Sequence, residues 1–341
     1  MVQLNPNNPL DGGKLTIADI AEALGVSKST VSRSISGKGR ISEDTRTKVL
    51  DFIAEHDYKP NQLARGLANS KTYNIGWIVP GDSDNDALPF FQRCMMGVEE
   101  IAAAFDYDIL ISLVFDNDLS GLQRVINNRK VDGIILARTL LDDPNVKCLL
   151  EGEIPFVVIG STPEKGVIQI DNDHVAACKE LTSILILKGI RKLAFICGNS
   201  NHVVNQSRLK GFMDGVEAGG VKPDNSNIYM DCDTDEDIER ALDEALRNKV
   251  QCIVCADDHI CYTVINNLNR DGISIPGDIK VASFYNSILL DRNQPPITSL
   301  QYDPKELGMT ACRTLLDYID GQPVNEKVML SYEVMLKGST L

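Results

Sequence analysis

A helix-turn-helix pattern near the start of the chain limits most strongly what this sequence can fold into. Residues 15–37 read LTIADIAEALGVSKSTVSRSISG, in which apolar side chains recur at the three- and four-residue spacings of a helix. Thr16 is a candidate N-cap for a first helix over residues 17–24, and Ser27 can cap a second helix over residues 28–36. The pattern therefore predicts two short helices that share a small core.

The second of these helices carries short polar side chains and one arginine on its outer face. Such side chains suit base edges and phosphates when the end of a helix enters the major groove. The predicted DNA-contacting residues of this segment are Thr16, Ser27, Lys28, Ser29, Thr30, Ser32 and Arg33. An ordinary helical hairpin with a solvated polar face is the alternative that this stretch alone leaves open.

A third helix and a short connecting segment follow. Ser42 is a capping residue, and early acids and an apolar stripe come after it, so a helix is predicted there and the three-helix module spans residues 14–59. Residues 60–72 then read PNQLARGLANSKT, and Gly66 within them costs about 1 kcal/mol relative to alanine in a helix. Because so short a helix is marginal in water, we expect this hinge to fold on contact with another molecule.

Together these segments closely resemble the LacI/GalR family of bacterial transcription regulators. The carrying motifs are TIADIAEALGVSKSTVSRSISGKG, ISEDTR, YKPNQLARGL and IGWIVP, and further motifs match in the same order to about residue 340. The resemblance implies that the hinge helices of two subunits lie in the minor groove, where a leucine from each is wedged between base pairs. That leucine corresponds to Leu67, and Asn61, Ala64 and Arg65 join it as predicted DNA-contacting residues. Packing of Leu67 against the core domain is the alternative.

The hinge departs from the family pattern at two positions. The family often has a serine and a lysine where this chain has Gly66 and Ala68. We therefore expect the hinge to depend on DNA, or on a second copy of the chain, for its order. A head with a thin core and such a hinge predicts a homodimer as the minimum assembly. The lack of a C-terminal heptad repeat disfavours a tetramer held by a coiled coil.

The distribution of charge also separates the head from the rest of the chain. The formal net charge is −14, yet residues 1–72 hold ten Lys or Arg against eight Asp or Glu, and the remainder holds 24 against 40. The acidic body will repel phosphate, while the head is slightly basic. We therefore expect binding to double-stranded DNA to lead with the head and to depend strongly on salt.

Composition disfavours several other classes of protein. No apolar run approaches the ~18 residues of a membrane span, and the N-terminus is polar rather than signal-like. We therefore expect a cytoplasmic bacterial protein, associated with the nucleoid when bound to DNA, whose residues 1–13 are disordered. Nine cysteines predict free thiols. Cys252 and Cys255 lie within an apolar strand, where residues three apart point to opposite faces, so we expect no metal or redox site there. No cofactor is expected.

From Tyr73 onward, short apolar runs alternate with amphipathic stretches. The runs include NIGWIVP, YDILISLV, VDGIILA and FVVIG, and a second set includes KLAFICG, QCIVCAD and IKVASF. Buried strands that alternate with helices predict parallel sheets built from βαβ units, and two such sets predict two Rossmann-like lobes. Ligands of these sheets bind beyond the carboxyl ends of the strands, so the cleft between the lobes is the predicted small-molecule site.

The resemblance implies the arrangement of periplasmic sugar-binding proteins, in which the chain crosses between the lobes three times. We place these crossings near Gln169, Ser299 and Gly321. The first lobe would then comprise residues 73–169 and 300–322, and the second lobe residues 170–299 and 323–341.

The predicted effector-binding residues lie in loops that follow strands. Sugars are bound by planar polar side chains that pair with vicinal hydroxyls and by aromatic rings that stack on C–H faces. The predicted set is Phe90, Phe91, Arg208, Asp257, Tyr285 and Asn286. The family usually has Asn where this chain has Asp257, and two acids after the aromatic residue of SFYN. We therefore expect stacking by Tyr285 and an amide contact from Asn286.

A structural alternative stays open for several of these residues. One of the two phenylalanines can be helix-start core, Arg208 can pair with a helix carboxylate, and Asp257 can cap the helix that begins near His259.

Within the family, IPFVVIG, IDND, VVNQSRLKGF and SFYN look most like regulators of maltose and maltodextrin use in Gram-positive bacteria. The implied function is a repressor of carbohydrate-utilisation genes. A maltose-like sugar, or another α-glucoside or oligosaccharide, would bind between the lobes and release the protein from a palindromic operator. The competing class is a sugar-binding protein or sugar-converting enzyme with an accessory head. No Walker A loop, GxSxG elbow or metal cluster is present in the sequence, so we expect no enzymatic activity.

Overall fold

The structure is a computed structural model, and it describes residues 15–36, 39–56, 58, 71–81, 88–115 and 118–341. The chain divides into two compact units, Met1–Thr72 and Tyr73–Leu341. Residues 1–13 and the predicted DNA-contacting residues Asn61, Ala64, Arg65 and Leu67 lie outside the described residues. None of the helices in the described part of the chain combines the length and apolarity that a bilayer span requires.

The first unit contains three short helices around a small apolar core. The helices are α1 (Ile17–Ala23), α2 (Lys28–Ser36) and α3 (Glu43–Glu55). The core consists of Ile20, Ala21, Val31, Val49 and Tyr58, all of them buried. Gly25 makes the turn between α1 and α2 with a φ of 63°, a conformation that glycine adopts without strain. The predicted helix-turn-helix is therefore confirmed.

The second unit begins with a sheet of parallel strands, which forms the first lobe. Its strands are β1 (Asn74–Pro80), β2 (Asp108–Val114), β3 (Gly133–Leu136), β4 (Phe156–Ile159), β5 (Ile168–Asn172) and β11 (Lys327–Leu330). They lie in the order β11-β5-β4-β3-β1-β2. Apolar side chains on both faces form two core clusters, as expected for a parallel sheet covered on both sides.

A second six-stranded sheet forms the other lobe. Its strands are β6 (Leu193–Ile196), β7 (Ile228–Tyr229), β8 (Cys252–Cys255), β9 (Lys280–Ser283), β10 (Thr298–Gln301) and β12 (Glu333–Met335). They lie in the order β12-β10-β9-β8-β6-β7, and only β12 runs antiparallel to its neighbour. Cys252 and Cys255 are buried in β8, and the nine cysteines are free thiols. Among the described residues, no group of three or more potential ligand side chains is arranged to hold a metal ion.

Helices connect these strands and cover both sheets. They are α4 (Leu88–Ala104), α5 (Ser120–Asn127), α6 (Pro144–Glu151), α7 (His174–Leu187), α8 (Val203–Ala218), α9 (Asp235–Arg247), α10 (Asp258–Arg270), α11 (Ile288–Arg292) and α12 (Pro304–Ile319). The alternation of strands and helices confirms the predicted two-lobed α/β body.

The three crossings between the lobes lie later in the chain than the sequence suggests. They fall between β5 and α7, between β10 and α12, and between β11 and β12. The third prediction is wrong by about ten residues, since Lys327–Leu330 pairs in parallel with β5 and so belongs to the first lobe. This strand has four residues and none of them is fully buried, so it differs from the buried strands that identify a parallel sheet from sequence. The first two crossings are shifted by only a few residues. Residues 170–172 pair within the first sheet as part of β5, and residues 298–301 pair within the second sheet as β10.

Candidate DNA-binding and effector-binding sites

The head holds its first two helices in place through side-chain caps. Thr16 Oγ1 accepts a hydrogen bond from Asp19 N at 3.4 Å, and Asp19 Oδ2 accepts from Thr16 N at 2.8 Å, which completes a capping box. These bonds from Thr16 hold the pKa of Asp19 below its usual value. Ser27 Oγ accepts from Thr30 N at 3.1 Å and so caps α2. The caps therefore satisfy backbone donors at the starts of both helices.

The predicted DNA-contacting side chains of the head lie on its surface. Those of Lys28, Ser29, Ser32 and Arg33 are exposed, and that of Thr30 is half-buried because its hydroxyl lies 2.8 Å from Ser27 Oγ. Val31, between them, is completely buried. The helix therefore presents a polar strip on one side and anchors itself through the other.

Arg208 lies on α8 in the second lobe, and its guanidinium is almost entirely buried, with 8% of the residue exposed. Its Nη1 donates to Asn205 Oδ1 at 3.1 Å and lies 3.8 Å from Asp257 Oδ2. Its Nε, by contrast, has no hydrogen-bond partner among the described residues. A buried donor without a partner costs about 1–3 kcal/mol, so this group is well suited to meet an acceptor from a ligand.

Asp257 serves two purposes at the carboxyl end of β8. It is the N-cap of α10, where its side chain accepts from Ile260 N at 3.0 Å, and its other oxygen faces Arg208. The alternatives of a helix cap for Asp257 and an ion pair for Arg208 therefore both occur. Neither excludes a ligand, since a carboxylate can accept several hydrogen bonds at once.

Phe90 and Tyr285 meet across the cleft. Phe90 begins α4 of the first lobe, Tyr285 follows β9 of the second lobe, and their ring centroids are 6.1 Å apart in an edge-to-face arrangement. Tyr285 also stacks on Tyr302, with centroids 6.3 Å apart. Burial raises the pKa of Tyr285 far above its usual value. The rings therefore form an aromatic surface at which water is largely excluded. A hydrogen bond made to a ligand beside this surface is stronger than the same bond in water.

Two residues of the predicted effector set have their side chains engaged within a single lobe in this structure. Phe91 is buried in the core of the first lobe, where it packs beside the β1 strand rather than at the cleft. Asn286 has its amide fully engaged inside the second lobe: its Nδ2 donates to Gln301 and Asp291, and its Oδ1 accepts from Ser299 and Lys337. An amide with two donors and one acceptor oxygen has no capacity left for a sugar in this arrangement.

A hydrogen-bonded group at the first crossing was not foreseen from the sequence. His174 Nδ1 lies 3.2 Å from Tyr302 Oη, and its Nε2 lies 3.4 Å from Asp171 Oδ1. Ser161 Oγ donates to Asp171 Oδ2 at 2.8 Å. Burial alone would raise the pKa of Asp171, but the bonds and charge of these neighbours hold it below its usual value. The sequence does carry one indication of this group, because Asp171 and His174 lie three residues apart where a strand passes into a helix.

Family models match segments of both units of the chain. Residues 16–61 match the family model described as bacterial regulatory proteins, lacI family, and residues 182–340 match a periplasmic binding protein-like domain. The HTH-type transcriptional regulator MalR of Streptococcus pneumoniae is 30% identical over 323 residues, which cover 92% of this chain and 95% of that protein. Catabolite control protein A of Staphylococcus xylosus is 28% identical and covers 96% of this chain and 99% of that protein.

A solved structure is similar along nearly the whole chain. It is a complex of the transcriptional regulator CelR with cellobiose, 26% identical, with a TM-score of 0.70, and it covers 95% of this chain and 99% of that one. The relatives are regulators of transcription rather than enzymes. The head matches the lacI family model, the body matches a periplasmic binding protein-like domain, and a regulator that is 30% identical aligns along nearly the whole chain. This chain therefore belongs to the LacI family of bacterial transcription regulators.

Proposed function

We propose that this regulator is a repressor of carbohydrate-utilisation genes that binds a palindromic operator as a homodimer in the bacterial cytoplasm. A sugar that binds between the two lobes releases it from DNA. The outer face of α2 reads each half of the operator, through Lys28, Ser29, Thr30 and Arg33. Effector binding changes the angle between the lobes, and this change alters the spacing of the two hinges on the duplex.

The observation that carries the effector site is the buried guanidinium of Arg208. Its partners leave Nε unsatisfied among the described residues, while Asp257 offers carboxylate oxygens beside it. A planar fork of N–H donors next to an acceptor matches the vicinal hydroxyls of a sugar ring. The Phe90 and Tyr285 rings supply the surface on which the C–H face of a sugar would stack.

A maltose-like disaccharide is the first candidate for the effector. The motifs IPFVVIG, IDND, VVNQSRLKGF and SFYN support it, and so does similarity to a regulator named MalR. Cellobiose is the second candidate, and similarity to a regulator solved in complex with it supports this choice. A phosphorylated effector is disfavoured, because Arg208 already faces Asp257 and the neighbouring Asp258 adds a second acid at the end of β8.

Exposed apolar faces support the homodimer. Ile111 and Leu113 on β2, an outer strand of the first sheet, and Ile288 and Leu289 on α11 of the second lobe are all more than half exposed. Apolar groups exposed in rows on both lobes are typical of surfaces that another chain covers. A second copy of this chain, placed in parallel so that the two heads reach one operator, is the occupant that the proposal assigns to them.

A gel shift with the DNA upstream of the protein's own coding region tests the proposal. The wild-type chain and the Arg208→Gln variant are each titrated onto this DNA with maltose, cellobiose or no sugar. We expect both proteins to bind DNA and only the wild type to be released at moderate sugar concentration, because the variant lacks the guanidinium fork. The surface variant Arg240→Gln serves as control, since Arg240 pairs with Asp237 on α9 and is largely exposed.

The other outcomes separate the competing classes. Sugar binding without a shift of any DNA would point to a sugar-binding protein with an accessory head, and turnover of the sugar would point to an enzyme. Release of the variant at the same sugar concentration as the wild type would refute the assigned role of Arg208.

A further inference from the structure

Two loops on opposite lobes are joined by a short antiparallel β-bridge. Leu140 lies in the loop after β3 of the first lobe, and His202 lies in the loop before α8 of the second lobe. These two residues pair directly opposite each other. The bridge is separate from the three crossings, so it joins the lobes through hydrogen bonds rather than through the chain itself.

Two backbone hydrogen bonds close the bridge. Leu141 N donates to Asn201 O at 2.9 Å, and Val203 N donates to Thr139 O at 3.3 Å. The bonds flank the central pair, so Leu140 and His202 form the non-hydrogen-bonded, more closely spaced kind of antiparallel pair.

Each loop is anchored firmly within its own lobe. In the first lobe, Thr139 Oγ1 donates to Ser161 O at 2.7 Å, and Thr139 is itself buried. In the second lobe, Ser200 N donates to Asp231 Oδ1 at 2.7 Å. Because both loops are held by their own lobes, breaking the bridge would separate the lobes rather than unfold either loop.

The bridge also completes the start of α8. The first backbone N–H groups of a helix have no partner within the helix, and they usually find one in a capping side chain. The N-cap residue His202 provides no such side-chain bond. The first N–H of the helix, that of Val203, donates to the Thr139 carbonyl of the other lobe, and Arg208 lies five residues further along the same helix.

We propose that this bridge is an interlobe latch: the Thr139 carbonyl positions the helix that carries Arg208 and holds the cleft closed. The latch rests on the proposed effector site, since it gives that site a gate. In the closed state Phe90 and Tyr285 are already in contact, so a disaccharide enters only after the latch opens. Thr139 and Val203 act through their backbone atoms and are positioning residues.

The substitution Val203→Pro removes one of the two backbone bonds of the latch, the one to the Thr139 carbonyl, with little cost to the helix. Val203 is the first residue of α8, a position that favours proline, and His202 has φ −74° and ψ 124°, which suit a residue before proline. The proline ring replaces the N–H and presses against the Thr139 carbonyl oxygen. The matched control is Val203→Ala, which shortens the side chain but keeps the N–H.

The distance between the lobes provides the readout without any ligand. Spin labels are attached to the full chain at two exposed positions, Glu151 on α6 and Glu236 on α9. Genetically encoded keto residues at these positions carry the labels, so the native thiols are not labelled. Both helices follow loops that hold the latch in place. We expect the Val203→Pro variant of the labelled chain to gain a longer-distance population that the Val203→Ala control lacks, with circular dichroism unchanged. Identical distance distributions in the two variants would overturn the proposal.

A reversible disulfide tests the latch as a gate. Directly opposed residues of such a pair lie about 4.5 Å apart at Cα, within the range of a disulfide. The double variant Leu140→Cys/His202→Cys is made in a Cys148→Ser background, because Cys148 is the native thiol that is not fully buried. We expect oxidation to slow association of maltose or cellobiose at least about tenfold relative to the reduced form of the same protein. The reduced form is held by the two backbone bonds alone, each worth about 0.5–1.5 kcal/mol, so it can still open, whereas the disulfide holds the bridge covalently.

The two measurements fail in different ways. Equal association rates in the oxidised and reduced forms would refute the gate. If neither sugar binds the wild type, the proposed effector is wrong, and the spin-label distances still decide whether the latch exists.

Discussion

Phe90 and Phe91 are adjacent in the chain and yet lie in different environments. Phe91 is 8% exposed and belongs to the core of the first lobe, whereas Phe90 is half-buried and touches Tyr285 across the cleft. Successive side chains on a helix point about 100° apart, so one ring can face the sheet while its neighbour faces the cleft. Within one turn of α4, Phe91 therefore packs in the core, while Phe90 faces the cleft where the proposed sugar would bind.

This separation predicts different effects for two equivalent truncations. We expect Phe91→Ala to lower the free energy of unfolding by about 3–4 kcal/mol, because it leaves a cavity in the core. We expect Phe90→Ala to cost far less stability and to weaken sugar binding up to about tenfold, the value of one lost aromatic contact. Urea unfolding and calorimetric titration of sugar measure the two effects. Equal destabilisation with unchanged sugar affinity would contradict the assignment of Phe90 to the cleft.

Single residues also show where prediction from sequence reaches its limit. The position of Arg208 and Asp257 after buried strands was predictable, because strand ends in a parallel sheet converge on one edge. The fate of Asn286 was not, since its amide is satisfied by Ser299 and Lys337, which are distant in sequence. Local patterns identify which residues can reach a cleft, whereas long-range partners decide which of them remain available to a ligand.

At the scale of elements, the stability of the junction between β5 and α7, where the chain first crosses between the lobes, depends on pH. Asp171 ends β5, His174 begins α7, and both side chains are buried. The pKa of Asp171 is lowered in the folded protein, so its ionised form stabilises the fold above the unfolded pKa near 3.9. That contribution is lost as the pH falls through the lower pKa of the folded state.

We therefore expect Asp171→Asn to lose about 3 kcal/mol of stability at pH 5, where breaking a buried pair is costly. The difference from wild type should shrink as the pH falls below about 4 and through the lower pKa of the folded state, because both proteins then carry a neutral group at this position. Urea unfolding at pH 5, 4 and 3 measures it, with Asp243→Asn on the exposed side of α9 as control. A difference that stays constant over this range would argue that the ionisation of Asp171 does not stabilise the junction.

The exposed strip of α2 predicts how salt acts on operator binding. Each lysine or arginine that contacts a phosphate contributes about one unit to the slope of log affinity against log salt concentration. We expect Lys28→Ala and Arg33→Ala each to reduce this slope by about two, because each substitution removes one contact from both heads of the homodimer. Fluorescence anisotropy at several salt concentrations measures the slope. Lys48→Ala on α3, where the lysine pairs with Asp44, should leave the slope unchanged. An equal change of the slope for Lys48→Ala would contradict the assignment of the phosphate contacts to α2.

Elements differ in how well their sequence identifies them. Fully buried strands such as β3, β4 and β8 were predictable from continuous apolar runs. The strands β11 and β12 are short and half-exposed, so their pairing depends on sheet edges that only the folded body provides. The error in the third crossing follows directly, because the alternation in these residues does not tell which edge each strand joins.

For the whole molecule, the proposed switch requires that sugar and operator affect each other equally. If sugar weakens operator binding by some factor, then operator must weaken sugar binding by the same factor, since both are one coupling free energy. We expect a five- to 150-fold coupling, about 1–3 kcal/mol, from titrations of sugar with and without saturating operator DNA. Equal sugar affinity in both titrations would refute release by an inducer, and tighter binding on DNA would identify a corepressor.

The order of the strands has a consequence for how the protein is made. The first sheet takes β11 and the second takes β12, so consecutive segments at the end of the chain finish two different lobes. A ribosome that has produced residues up to about 320 has delivered neither sheet in its final form. Until then β5 and β10 lie at sheet edges without their final neighbours, and unfinished chains can pair with each other at these edges. Synthesis of the last strands covers β5 and β10 almost together, so the two lobes mature as a pair rather than in succession.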